Sequence, residues 1–168
     1  QTIRSQVEFE NDREQVLANH RDIILANERV YLWNQIYQSY EEAEAHATQV
    51  SDAQASYEEA QIQLQGVEQD IENELWQKYI DVVDAYNQVS QSRAQLDLAN
   101  AVYAQYSHQY SIGMLQEVDL GRARLDVYEA QFQFQSALRE YALAYLSYDL
   151  MLQFHTLFYP PTQSFTEY

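Results

Sequence analysis

Three glycines and two prolines in 168 residues leave this chain few places to turn sharply. Both prolines, Pro160 and Pro161, lie near its end, and the glycines are Gly66, Gly113 and Gly121. A β-rich domain needs turn residues at short, regular intervals, and an α/β domain needs loops between its strands and helices. Neither supply exists here. Gln, Ala, Glu, Leu and Tyr dominate, and all but Tyr are good helix formers. The expected fold is therefore all-α. Long helices are expected from near Gln1 to about Phe154, followed by an irregular tail over 156–168 around Tyr159-Pro160-Pro161.

Charge and composition then exclude whole classes of function. The formal charge is −17, from 26 acidic and 9 basic side chains. Nucleic acid and anionic lipid are disfavoured as partners, because neutralising phosphate needs clustered Lys and Arg. The absence of Cys removes disulfide scaffolds, Cys-based zinc sites and thiol nucleophiles. No apolar run is long enough for a membrane-spanning helix. No leader segment is visible at Gln1, as expected of a mature or trimmed chain or a cytosolic one. At this length one domain with a sizeable core is the default expectation.

Periodicity locates a hairpin. Leu75, Tyr79, Val82, Tyr86, Val89, Leu96, Tyr103 and Tyr110 fall on spacings of three and four, with Arg93, Asn100 and Ser107 filling the gaps. That is a coiled-coil seam of period 3.5. Beyond Tyr110-Ser111-Ile112-Gly113-Met114, residues Val127, Phe134, Tyr141 and Tyr148 recur every seventh position. Ala123, Ala130, Ala137 and Ala144 form a second series of the same period. Bulky residues alternating with Ala let two helices approach closely. Gly113 supplies the left-handed residue that ends the first helix. Residues 71–111 and 116–154 thus read as antiparallel arms, each roughly 60 Å long at ~1.5 Å per residue. The long hairpin occupies 51–155, with its tip at 111–115. Trp76, Ile80, Val83, Phe132, Leu138, Tyr145 and Leu146 lie off the seam and call for further helices, from residues 1–70 or from other subunits.

Residues 1–50 are an N-terminal helical segment of less legible pattern. Val50, Tyr57, Leu64 and Ile71 repeat by seven, with Ala53 and Ala60 offset, and Ser51 with Gln54 reads as a capping box. The stretch Ala53-Gln-Ala-Ser-Tyr-Glu-Glu-Ala60 echoes Ala123-Arg-Leu-Asp-Val-Tyr-Glu-Ala130. A degenerate repeat of about 70 residues would place a turn near 41–49, equivalent to the one at Gly113. The good helix propensity of Glu41 to Ala47, and the lack of Gly there, argue the other way.

Catalytic and metal constellations fail on spacing. A di-iron bundle needs Glu-x-x-His, but Leu17, Ala43, Gln105 and Leu152 precede His20, His46, His108 and His155 by three. No zinc-helix motif occurs, adjacent acids such as Glu58 and Glu59 do not converge on one point, and no Gly-rich loop cradles phosphate. No enzyme, metal site or cofactor is expected. The 15 tyrosines follow the heptads, which favours packing with the hydroxyl at a wet helix boundary over an aromatic ligand path. Glu117 and Asp119, just past the turn, suit a helix N-terminus. In a ring of hairpins they would also recur around a constriction as a cation-selective entrance.

At these residues the chain resembles the TolC-like outer membrane efflux protein family. The resemblance is carried by Tyr110-Ser-Ile-Gly113-Met-Leu-Gln-Glu-Val-Asp119-Leu-Gly-Arg-Ala123-Arg-Leu-Asp-Val-Tyr128-Glu-Ala130, with Ile71-Glu-Asn-Glu74-Leu-Trp-Gln-Lys-Tyr79 upstream and Ala137, Tyr141, Ala144 and Leu150 downstream. It spans about residues 53–155. It implies a homotrimeric export duct whose helical hairpins form a periplasmic α-barrel on the inner side of the outer membrane. The hairpin tips would meet a periplasmic adaptor protein coupled to an inner-membrane transporter. Ile112, Gly113 and Met114 match the adaptor-docking tip, and Tyr110 and Asp119 match positions that constrict the entrance. The chain departs from the family at Leu115, where some members have an entrance Arg, and at Arg122, where they have a second Asp. A contact between Arg122 and Asp119 one turn apart would be the local substitute. No strands for the family's β-barrel are present in residues 1–155, so the chain reads as a periplasmic fragment of a longer protein. The competing expectation is a scaffolding coiled coil, such as a three-helix bundle, which shares the heptads but gives no reason for the tip. A membrane-bending helical dimer is disfavoured by the acidic charge.

Overall fold

A computed structural model of the protein describes residues 6–153. His155, Pro160, Pro161 and the tail expected over 156–168 lie outside these residues. The described part is all-α, with helices α1 (Gln6–Asn19), α2 (Arg21–Glu42), α3 (Ala47–Ser111) and α4 (Glu117–Gln153) and no strand. The chain divides into two compact units. One comprises Lys78–Tyr148; the other takes in described residues 6–77 and 149–153.

In the unit Lys78–Tyr148, the second half of α3 and most of α4 lie antiparallel. The ring pairs fix the register: Tyr79 meets Tyr148 with centroids 6.3 Å apart, and Tyr86 meets Tyr141 at 5.9 Å, near edge-on. A step of seven up α3 is matched by a step of seven back down α4. Lys78 Nζ also donates to Ser147 Oγ at 3.2 Å in the same register. On α4 the alanine series does what its size allows. Ala123, Ala130 and Ala137 are buried, and Val127, Phe134 and Tyr141 between them are half-buried. Tyr148, at 1% exposure, closes the stripe.

On α3 the seam turns by one residue. Arg93, Asn100 and Ser107 are exposed, while Ser92 is buried and Ala99 and Tyr106 are half-buried. Burying Arg or Asn without a partner costs several times what burying Ser or Ala costs. Ser92 satisfies its hydroxyl locally, donating to the Val89 carbonyl at 3.1 Å. The helix face therefore runs through Ser92, Ala99 and Tyr106 and leaves the polar gap-fillers in water.

The other unit carries a heptad that starts well before residue 50. Phe9, Val16 and Ile23 are buried and Val30 and Tyr37 half-buried, every seventh residue across α1 and α2. They line an antiparallel pairing with the first part of α3. Phe9 meets Trp76 edge-on at 5.1 Å, Arg13 Nε bonds Glu72 Oε1 at 2.7 Å, and Tyr37 stacks on Tyr57 at 6.4 Å. On α3, Ala53, Ala60, Ile71 and Leu75 are buried, and Tyr57, Leu64 and Val67 half-buried.

Two local features differ from the sequence expectation. The helix before residue 42 is interrupted at His20, which is extended (φ −65°, ψ 127°) and caps α2 by accepting the Asp22 amide on Nδ1 at 3.2 Å. At the other end, α3 begins at Ala47, so Ser51 lies inside the helix and does not cap it. The His46 carbonyl instead accepts from Gln49 and Val50. The turn between α2 and α3 occupies residues 43–46 without any Gly. Glu44 takes the left-handed conformation there, with φ 49°.

Candidate functional site

The turn between α3 and α4 is built from backbone bonds that the sequence makes available. Gly113 N donates to the Tyr110 carbonyl at 3.0 Å and Met114 N to the Gln109 carbonyl at 2.9 Å, the pairing that ends a helix through a left-handed residue. Gly113 has φ 76°. An added Cβ would meet nothing within 4 Å, so the demand for Gly is one of backbone conformation and not of space. Ser111 Oγ donates to the His108 carbonyl at 2.7 Å and satisfies one more acceptor of the last turn. α4 then opens on Gln116, whose carbonyl accepts from Asp119 and Leu120 at 3.1 and 3.3 Å.

This geometry gathers most of the residues singled out from the sequence. Ile112 is 55% exposed and Met114 76%, so the end of the hairpin presents two apolar side chains to solvent around a bare Gly113 backbone. Tyr110 stands exposed on the last turn of α3. Glu117 is exposed and Asp119 half-buried in the first turn of α4, where their charge favours the helix N-terminus. Arg122 is exposed one turn further on. Among the described residues it forms no ion pair with Asp119. The tip is thus an apolar knob followed by an acidic collar.

Elsewhere, two adjoining grooves between α2 and the start of α3 hold about 180 and 210 Å³ and share Arg29, Ala60 and Gln63. Both fall below the roughly 300 Å³ at which small-molecule sites begin. Arg29 Nη1 spans the shared wall by donating to Gln63 Oε1 at 2.8 Å. No group of three or more metal-ligating side chains occurs among the described residues, and no described helix is long and apolar enough to cross a membrane.

No family model, characterised protein or solved structure matches this chain.

Sequence reasoning missed His20 as a cap, because His is not among the common capping residues and its acceptor is a ring nitrogen. It also missed Phe9, Val16 and Ile23 as one stripe. The seven-residue spacing was there to be read, but the helix break at His20 falls inside it.

Proposed function

We propose that this chain is the helical periplasmic part of an outer membrane export duct, a passive conduit whose hairpin tip docks an adaptor protein. The observation that carries the reading is the tip itself. A left-handed Gly113 holds Ile112 and Met114 out at the end of paired antiparallel helices, with Glu117 and Asp119 directly behind. Ile112 and Met114 stand together at the end of the hairpin on either side of Gly113, as adjoining apolar surface left in water. In the duct reading that surface is covered by the adaptor. Ile112, Gly113 and Met114 form the contact, while Tyr110, Glu117, Asp119 and Arg122 surround the entrance. In the full-length protein the copies assemble as a trimer, and the recurring carboxylates favour cations at the mouth. The partners are the adaptor and, through it, an inner-membrane transporter, and the place is the periplasmic face of the outer membrane.

The test uses the protein in its native cell. Gly113→Trp should abolish export and adaptor capture while the purified chain keeps its helical circular dichroism. Export that survives this change sinks the duct reading. It would favour the second one, a scaffolding bundle, for which the packing of α1 and α2 against α3 through Phe9–Trp76, Arg13–Glu72 and Tyr37–Tyr57 is the supporting observation.

A further inference from the structure

The face of α4 opposite its buried stripe is apolar, patterned and uncovered. Val118, Gly121, Leu125, Tyr128 and Phe132 follow one another at spacings of three, four, three and four, and all are exposed, Phe132 to 66%. Alternating spacings of this kind select another helix as the partner, because they keep one seam facing it. The flank of the stripe carries Arg122 and, seven residues on, Glu129, both exposed. Glu129 accepts from the Gln133 amide at 3.5 Å, the limit of a hydrogen bond.

We infer that this face binds the same face of a second copy of the chain, with the two α4 helices antiparallel about a two-fold axis. The pattern is self-complementary in one register. Antiparallel seams pair alternate core positions, which places Gly121 against Phe132 of the partner subunit and Leu125 against Tyr128 of the partner subunit, each twice by symmetry. The smallest residue of the stripe then meets the largest ring. In the same register Arg122 lies beside Glu129 of the partner subunit, and the symmetry repeats that pair. Moving the register by seven residues brings Arg122 against its own copy and pairs like charges. A parallel pair in step sets Gly121 against its own copy and Phe132 against its own ring, so the small and large residues no longer match. Volume therefore chooses the direction, and complementary charge the register. A ring of parallel copies needs this face in a different way, so the antiparallel pair is a form of the chain outside the ring. Its failure would leave the duct reading standing.

Sedimentation velocity on the purified chain over a range of concentrations tests this, with circular dichroism confirming that each variant stays helical. The chain should sediment as a dimer that dissociates on dilution. Arg122→Glu or Glu129→Arg alone should each weaken association roughly tenfold by setting two like-charge pairs about the axis. The combined variant, Arg122→Glu with Glu129→Arg, should restore it. Phe132→Lys should leave a monomer. A chain that is monomeric or trimeric at all concentrations overturns the inference. So does a dimer that ignores the single reversals, or one that the combined variant fails to rescue.

Discussion

Glu44 and Gly113 perform the same backbone task at two different turns. Each takes a left-handed conformation just past a helix end, with φ 49° and 76°. The bond from Ala45 N to the Tyr40 carbonyl has the same five-residue span as that from Met114 N to the Gln109 carbonyl. A residue with a Cβ pays about 1 kcal/mol in this conformation, and Gly does not. Opposite outcomes are expected from complementary changes. Glu44→Gly should raise unfolding stability by up to about 1 kcal/mol, and Gly113→Ala should lower it by about as much, both read from urea midpoints. Tyr37 supplies a pH dependence. Its hydroxyl donates to Glu41 at 2.6 Å, and that hydrogen bond holds the phenol above its ordinary pKa, with some desolvation and the charge of Glu41 adding to it. The neutral phenol is thus favoured by folding. Its contribution is complete below the unfolded tyrosine pKa and is lost as pH rises through the folded one. In thermal melts above about pH 10, Tyr37→Phe should lose less stability per pH step than the parent chain. Equal slopes would refute the role given to the Glu41 bond.

At the scale of the element, α4 has two faces that differ in what a substitution does. Its inner stripe alternates alanines with bulkier residues, and Ala130 is buried. Ala130→Leu adds volume to that seam and should cost about 1–3 kcal/mol by overpacking. Leu125→Ala, on the exposed outer stripe, should move the stability of the folded monomer by less than about 0.5 kcal/mol. Urea unfolding at a concentration low enough to avoid association compares the two. The inverse ranking would mean that inner and outer faces have been exchanged. On α3 the lesson is one of register. A period of 3.5 can be read from Val82, Val89, Leu96 and Tyr103, which do lie inward or half-buried. The companion series can be drawn through Arg93 and Asn100 or through Ser92 and Ala99, and spacing alone allows both. Desolvation decides for the smaller pair.

At the scale of the whole molecule, charge dominates. With −17 formal charges, acidic groups far outnumber the cations available to pair with them. The ion pair of Arg13 with Glu72, at 2.7 Å, joins partly exposed side chains. Such pairs contribute little, whereas the summed repulsion acts on every helix. Salt should therefore stabilise this protein. Screening shortens the reach of charge from about 30 Å at 10 mM to about 8 Å at 150 mM. The melting temperature should rise over that range, and a fall would show that attractive pairs outweigh the repulsion. The same charge explains why the exposed apolar stripe of α4 needs complementary flanks before it can associate: two copies otherwise repel.

Helical class, heptad period and the place of the α3–α4 turn follow from the sequence by itself, because each depends on residues close together in one chain. Gly113 ends α3, Ala123 to Ala137 mark the close approach, and Glu117 and Asp119 begin α4 as local propensity requires. The tertiary structure decided what depends on a partner. It placed a left-handed residue at Glu44, since packing α2 on α3 outweighs a penalty of about 1 kcal/mol. It turned Ser92 inward and Arg93 outward, left Arg122 apart from Asp119, and kept the Val118–Phe132 stripe in solvent. Periodicity describes a helix face. Which residue of that face is buried depends on the rotation, distance and volume of the helix opposite.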